Sequence, residues 1–491
     1  MMDDLKKYEF WFITGSQNLY GDEVIKKVNE HAREMVQIMD AHVSGKIICK
    51  GVVTTPDEIT HIIKEANYDD KCAGIITWMH TFSPSKMWIN GLKILNKAML
   101  HLDTQYNREI PFSNIDMDFM NLNQSAHGDR EHGFICARLR IPRKVIVGYW
   151  QEKKVTDEIS NWMRSAVGVT EGKSLKVVRF GDNMREVAVT EGDKVEAQIK
   201  LGWAVNSLAI GDLVAEIDKV LEGETDTEFN VIKNKYDIVT DKLDALKYQI
   251  MTEIALKKIC EANKFGAFVT CFENLYGMKQ LPGLACQLLM QQGYGFGPEG
   301  DWKTAALMRV MKVMETGLPG GLSFMEDYTY HLQNNDELVL GAHMLEVDPS
   351  IADGRVSIDV QPLGIGEKSD PARMIFEGHS GDAIITSLVD IGGRMRLIVA
   401  DVEVVKPIHS MPRLPVAVVM WKPLPNFEIG SKAWIYAGGA HHSVLSYSLN
   451  ASIMRDFAEI VDVEFVHINK DTDINKLKQD LMFADQMRKI K

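Results

Sequence analysis

Glu9-Phe10-Trp11-Phe12-Ile13-Thr14-Gly15 is an apolar run closed by a glycine, the pattern of a buried strand that ends in a turn. Helical spacing of Val24, Val28, Met35 and Ile38 follows over residues 22–40, and residues 46–53 read as a second strand. Thr55-Pro56-Asp57-Glu58 then supplies every part of a helix start: Thr55 to cap, Pro56 for the first turn, Glu58 to complete a capping box. Residues 72–79 give a third strand, Ser83-Pro84 opens a helix to about Leu95, and residues 98–102 give a fourth strand. Strands separated by helices predict parallel pairing in a doubly wound sheet, with ligands at the carboxyl ends of the strands. Ser16-Gln17-Asn18-Leu19-Tyr20-Gly21 occupies one such end.

A second α/β unit is predicted from strands at 144–149, 175–180 and 267–271 and helices at 157–167, 242–263, after Pro282 and after Asp301. Beyond about residue 337 the texture changes. Strand-like runs at 338–340, 356–360, 383–389 and 397–405 have Gly and Pro between them, and late helices are expected at about 445–460 and 473–488. The predicted organisation is α/β: two doubly wound, Rossmann-like domains (1–170 and 171–325) followed by a β-rich C-terminal domain (326–491).

A chain of 491 residues has room for roughly two to four domains. Its formal net charge of −13, without a basic stripe, argues against a nucleic-acid partner. Six scattered cysteines without a CxxC pair read as reduced thiols. Met1-Met2-Asp3-Asp4-Leu5-Lys6-Lys7 lacks the apolar core of a signal peptide, and no apolar run approaches the ~20 residues of a membrane span. A cytoplasmic enzyme or ligand-binding protein is the expectation.

Chemistry concentrates at glycine-rich turns: Gly295-Phe296-Gly297-Pro298-Glu299-Gly300-Asp301-Trp302-Lys303-Thr304, then Ser323-Phe324-Met325-Glu326-Asp327-Tyr328, Gly341-Ala342-His343 and Gly438-Gly439-Ala440-His441-His442. Carboxylates mixed with imidazoles, and no thiolate, suit a divalent metal of intermediate hardness such as Mn²⁺. Each piece also has an ordinary structural reading. Gly295-x-Gly297-x-x-Gly300 matches a dinucleotide fingerprint in letters only, since the helical pattern over 285–292 stands where a strand should enter. Trp302 rules out a P-loop, because the indole blocks backbone wrapping around phosphate. Asp301 suits a helix cap as well as it suits catalysis. The glycines beside Glu299 would let a ligand approach closely. Glu326 and Asp327 read equally as exposed charge, and His343 as a core histidine. Adjacent His441 and His442 on a strand would face opposite ways, so one alone is expected to reach a shared site. His127, in Ser125-Ala126-His127-Gly128-Asp129-Arg130-Glu131-His132-Gly133, reads as part of a polar loop.

Jointly, these pieces resemble the L-arabinose isomerase family. They are joined by Phe12-Ile13-Thr14-Gly15-Ser16-Gln17-Asn18-Leu19-Tyr20-Gly21, Arg179-Phe180-Gly181-Asp182-Asn183-Met184-Arg185 and His343-Met344-Leu345-Glu346, in the family's order over nearly the whole chain. Asn18 stands where the family often has His, and Ser443 where Thr is common. The resemblance implies a three-domain subunit with a barrel-like C-terminal domain. It implies Mn²⁺, one per subunit, held by Glu299, Glu326, His343 and His442. It also implies a homohexamer in which a neighbour's N-terminal domain brings Gln17, Leu19, Tyr20 and His127 to the sugar, while Met184, Phe272 and Tyr328 line the pocket.

The implied reaction converts L-arabinose to L-ribulose, and D-galactose to D-tagatose, by enediol proton transfer between C1 and C2. Glu299 and Glu326 serve as the acid/base pair as well as ligands, since a carboxylate can bind through one oxygen and move a proton with the other. A metal-assisted hydride shift is the alternative chemistry. The competing classes are an isomerase preferring another aldose such as L-fucose, and a non-catalytic sugar-binding protein or sensor. The latter would not need two carboxylates and two histidines around a metal.

Overall fold

Strand β1 (Glu9–Gly15) is buried from Phe10 onward and sits inside a five-stranded sheet rather than at its edge. The other strands are β2 (Lys46–Val53), β3 (Cys72–Trp78), β4 (Ala98–Asp103) and β5 (Lys144–Val147), in the order β2-β1-β3-β4-β5 with every neighbouring pair parallel. Helix α1 (Asp22–Asp40) buries Val28, Ala32, Met35, Val36 and Met39 along one stripe. Helix α2 (Pro56–Tyr68) starts as its letters predict: Glu58 N–H donates to Thr55 Oγ1, and Thr55 N–H donates back to Glu58. The computed structural model describes residues 5–364 and 367–490, so residues 1–4 of the stretch read for a signal peptide lie outside the described residues. These five strands belong to a compact unit that ends at Thr170 and takes in Arg455–Asp462; Glu171–Met454 and the residues from Val463 onward form a second unit.

In the second unit, β6 (Lys176–Phe180), β7 (Ala204–Leu208), β8 (Ala267–Thr270) and β9 (Gly295–Gly297) form a parallel sheet in the order β9-β8-β6-β7. Helix α4 (Trp302–Met314) leaves β9 after a short turn and is buried along almost its whole length. The change of texture near residue 337 corresponds to a seven-stranded sheet. It is built from β10 (Leu322–His331), β11 (Leu338–Ala342), β12 (Gly381–Asp390), β13 (Met395–Val405), β14 (Val418–Pro423), β15 (His442–Ser446) and β16 (Glu464–Ile468). The order is β12-β15-β10-β11-β14-β13-β16, and β12 also pairs antiparallel with β13 along its full length. The helix expected over 445–460 is shorter: residues 442–446 are strand, and the helix is Ala451–Ile460.

The segment around His127 is not a loop but the start of helix α3 (Ser125–Leu139). Its hydrophobic period is hidden because part of its buried face is polar: Ser125, Asp129 and His132 lie inward. Asp129 Oδ1 lies 2.8 Å from His101 Nε2 on β4, both side chains being almost fully buried. Burial, then the charge of Asp103, pushes the Asp129 carboxyl up to about 10. Burial brings His101 down to about 4.

Asp129 therefore favours the folded chain most below the ordinary carboxylate range, and that contribution drains as pH rises toward 10. His101 works the other way: its contribution is full above ~6.5 and drains as pH falls toward 4. Above ~6.5 only the Asp129 slope remains, at most ~1.4 kcal/mol per pH unit. Asp129→Asn, which keeps the shape without the titration, should flatten the loss of stability between about pH 7 and 9, read from denaturant midpoints against the native chain. Parallel pH profiles for the two proteins would refute a protonated pair.

Candidate functional site

The turn between β9 and α4 is built by glycine. A Cβ on Gly295 would lie 2.0 Å from the Ala305 carbonyl oxygen, and one on Gly297 would lie 2.2 Å from that of Asp301. Gly300 has φ +78°, and a Cβ on it would lie 2.5 Å from Asn183 Cα. At each of these glycines the place of a side chain is thus taken by the chain's own backbone. The dinucleotide fingerprint also gains a strand: the preceding helix is Gly283–Gln291, and Gly295–Gly297 is itself β9. Its glycines serve close helix–strand packing.

This packing delivers two carboxylates. Glu299 adopts φ +59°, a left-handed conformation that costs a non-glycine residue ~1–3 kcal/mol. Its carbonyl accepts from Met184 N–H at 2.9 Å. Asp301 caps α4, accepting from Thr304 N–H at 3.3 Å and Thr304 Oγ1–H at 2.7 Å. It also accepts from His442 Nδ1–H at 3.1 Å, so the helix cap is at the same time the partner of that imidazole.

The sheet supplies the other half. Glu326 on β10 stands directly opposite His442 on β15 and Ala342 on β11, with His343 the next residue along. Phe324, two residues before Glu326, meets both imidazoles edge-on, at 5.1 Å from His343 and 5.3 Å from His442 between ring centroids. His343 Nε2 lies 3.8 Å from Glu326 Oε2, and His442 Nε2 lies 3.7 Å from Glu299 Oε2. Each ring is held from behind by a carboxylate on Nδ1: Glu346 at 2.5 Å for His343 and Asp301 for His442. His442 Nε2 is buried with no hydrogen-bond partner among the described residues. A carboxylate behind the imidazole and a bare nitrogen in front is the arrangement of a metal-ligating histidine.

His441 precedes β15 rather than lying on it, so strand alternation does not separate the two histidines. Its Nε2 is 3.6 Å from Glu299 Oε2, and Glu299, His441 and His442 offer ligand atoms within 4.8 Å of one another. Burial works against the Glu299 carboxylate, but His441, His442 and His343 hold it below its ordinary range. Burial also works against a charged His343, yet Glu346, Glu326 and Glu299 raise it. The hydrogen bond to Glu299 raises His441. Burial opposes the Asp301 charge, but Lys303 and then His442 hold it well below the usual carboxylate range.

Of the remaining predicted residues, Met184 is half-buried in the loop after β6 and tied to the Glu299 backbone. Phe272 is half-buried just after β8, and Tyr328 is exposed on β10, two residues beyond Glu326. Gln17, Leu19, Tyr20 and His127 belong to the N-terminal unit. Gln17–Tyr20 follow the carboxyl end of β1, with Leu19 84% exposed. Tyr20 O–H donates to Gln124, immediately before helix α3, on which His127 stacks against Phe82 with 4.4 Å between ring centroids. Sequence reading did not single out Glu346, whose i,i+3 spacing from His343 is its only local signal, nor Lys303, which has none.

Three family models match consecutive segments: the L-arabinose isomerase N-terminal domain over residues 4–174, the central domain over 176–317 and the C-terminal domain over 321–464. The chain is 54% identical over 488 residues to an L-arabinose isomerase of Thermotoga petrophila, covering 99% of this chain and 98% of that protein. It is 54% identical to that of Geobacillus kaustophilus, over 99% of both chains. It is 53% identical to that of Klebsiella pneumoniae, over 97% of both.

The contact between β9 and α4 makes a direct prediction. Gly297→Ala forces the Asp301 carbonyl away and should cost at least ~1–3 kcal/mol, read as a lower denaturation midpoint. An alanine variant as stable as the native chain would mean that the helix does not press on the strand as described.

Proposed function

The chain belongs to the L-arabinose isomerase family, and on that premise we propose that it interconverts L-arabinose and L-ribulose by moving hydrogen between C1 and C2. The observation that carries this reading is the pair of carboxylate-backed imidazoles whose Nε2 atoms face Glu299 and Glu326. Glu299, Glu326, His343 and His442 hold Mn²⁺, a role supported by the unpartnered, buried His442 Nε2. When bound, the ion supplies Lewis-acid polarisation of the sugar's carbonyl and alkoxide oxygens.

The carboxylates act on the protons. One takes a proton from carbon and returns it to the neighbouring carbon, giving an enediol route, while its partner serves the hydroxyl oxygens. Glu299 suits the role of proton acceptor by its place, with His441 Nε2 at 3.6 Å and His442 Nε2 at 3.7 Å from its Oε2. Asp301 and Glu346 stay behind the rings and fix which nitrogen faces the site. D-galactose presents the same C1–C2 carbonyl and hydroxyl pair, so D-tagatose is the second product.

We read three domains in series, the last barrel-like, a reading supported by the three consecutive family segments and by the pairing of β12 with β13. We read the enzyme as a homohexamer in which a neighbour's Gln17, Leu19, Tyr20 and His127 close over the sugar held by Met184, Phe272 and Tyr328. The exposure of Leu19 on the N-terminal unit supports this. Six unbridged cysteines support a reducing compartment, the cytoplasm. No described helix is long and apolar enough to cross a membrane.

Incubation with L-arabinose and Mn²⁺ should yield L-ribulose, and chelation should abolish turnover until Mn²⁺ is restored. Glu299→Gln and Glu326→Gln should each lower kcat by at least ~10²-fold at saturating Mn²⁺, because an amide cannot take the proton. Metal-loaded variants that keep the native kcat would overturn the acid/base roles. The same assay on D-galactose and L-fucose ranks the aldoses.

Co-expression tests the shared site. Gln17→Ala and Glu326→Gln subunits, each inactive alone, should recover activity in mixed oligomers that contain sites with both halves intact. A mixed oligomer verified by mass and still inactive would assign each site to a single chain.

A further inference from the structure

Lys303 lies at the second position of α4 and is 1% exposed, an arrangement that electrostatics disfavours twice. The start of a helix carries the positive end of its dipole, and a buried ammonium must be fully paired to be tolerated. Here the ammonium is enclosed by acceptors. Nζ donates to the carbonyls of Val189 at 3.0 Å, Thr190 at 2.9 Å and Glu191 at 2.7 Å, and lies 3.3 Å from Asp301 Oδ1. The other Asp301 oxygen takes Thr304 Oγ1–H and His442 Nδ1–H.

The same three carbonyls belong to the segment that follows Met184. Asn183 Nδ2–H donates to both Thr190 O at 2.7 Å and Gly300 O at 3.2 Å, and Met184 N–H donates to Glu299 O. One buried cation thus ties two loops: the one after β6, which carries Met184, and the one after β9, which carries Glu299 and Asp301. Capping alone does not require it, since Asp301 already caps the helix through Thr304.

We propose that Lys303 is a positioning residue of the site. It holds Asp301, and through it the His442 ring, so that Nε2 stays aimed at Glu299 while the Met184 loop is clamped alongside. The proposal rests on the reading that Glu299 and His442 hold a divalent cation. Removing a group behind a ligating histidine typically weakens metal binding ~10–100-fold.

The test uses the full-length protein stripped of metal by chelation, with Mn²⁺ binding followed by the electron paramagnetic resonance signal of the free ion. Lys303→Met should weaken Mn²⁺ binding by about 10–100-fold. Asp301→Asn keeps a competent helix cap and should show a loss of similar size. The double variant should lose no more than the weaker-binding single variant, because both act through one path. Native Mn²⁺ affinity in Lys303→Met confines the lysine to a structural role and overturns the proposal. So does native affinity in Asp301→Asn, which keeps the question answerable if the lysine variant fails to fold. Losses that multiply in the double variant overturn the path through Asp301. A native protein that binds no Mn²⁺ overturns the metal reading itself and the proposal with it.

Discussion

The backbone of β9 touches the backbone of α4, and the site depends on that contact. Gly295 and Gly297 have no room for even one carbon between strand and helix, and Gly300 has none against Asn183. The helix is thereby fixed in position and rotation at its first residue. That first turn presents Asp301 to His442 and leaves Glu299 in a left-handed conformation at the site's edge. A wider helix–strand spacing would preserve the fold class and lose the constellation, because hydrogen bonds fail within a few tenths of an ångström.

The second constraint is the antiparallel register of β10 with its two neighbours. Residues directly opposite one another in a sheet share a face, so Glu326 and His442 come to the same side by pairing alone, and His343 follows at the end of the adjoining strand. Phe324 wedges between the two rings and restricts their tilt. Glu326 and His442, more than a hundred positions apart, are thereby organised by strands whose own stability comes from apolar burial on both faces, Phe324 and Val444 on one and Met325 and Leu445 on the other. The site draws on that stability: a strained backbone at Glu299 and a bare buried nitrogen on His442 are each unfavourable in isolation.

Polar burial recurs in the N-terminal unit, where His101, Asp129 and His132 replace what would usually be an apolar helix–sheet seam. Ser16 and Thr81 share a hydrogen bond of 2.7 Å at the carboxyl ends of β1 and β3, beside the segment that carries Gln17 and Leu19. The seam shapes the edge of the sheet where doubly wound folds present their ligand-contacting loops.

What was legible in the letters is what neighbouring residues decide among themselves. The apolar run of β1, the capping box at Thr55–Glu58 and the change of texture near residue 337 are local signals, and the elements formed where those signals lie. Resemblance across ordered motifs identified the family. Helix α3 reads as a loop because its inward face carries Asp129 and His132, which are buried but interrupt apolar periodicity. The end of the strand His442–Ser446 reads as the start of a helix because its pairing partners lie more than a hundred residues away on β10. The same distance hid the double duty of Asp301 as cap and histidine partner and the approach of His441 to Glu299. Sequence by itself determined the elements, their order and the residue types able to do the chemistry, since propensity, capping and turn preference act over a few positions. Which nitrogen of each imidazole faces the carboxylates, and which cation lies behind them, was decided only by the tertiary structure, because those facts depend on long-range register and on helix–strand spacing.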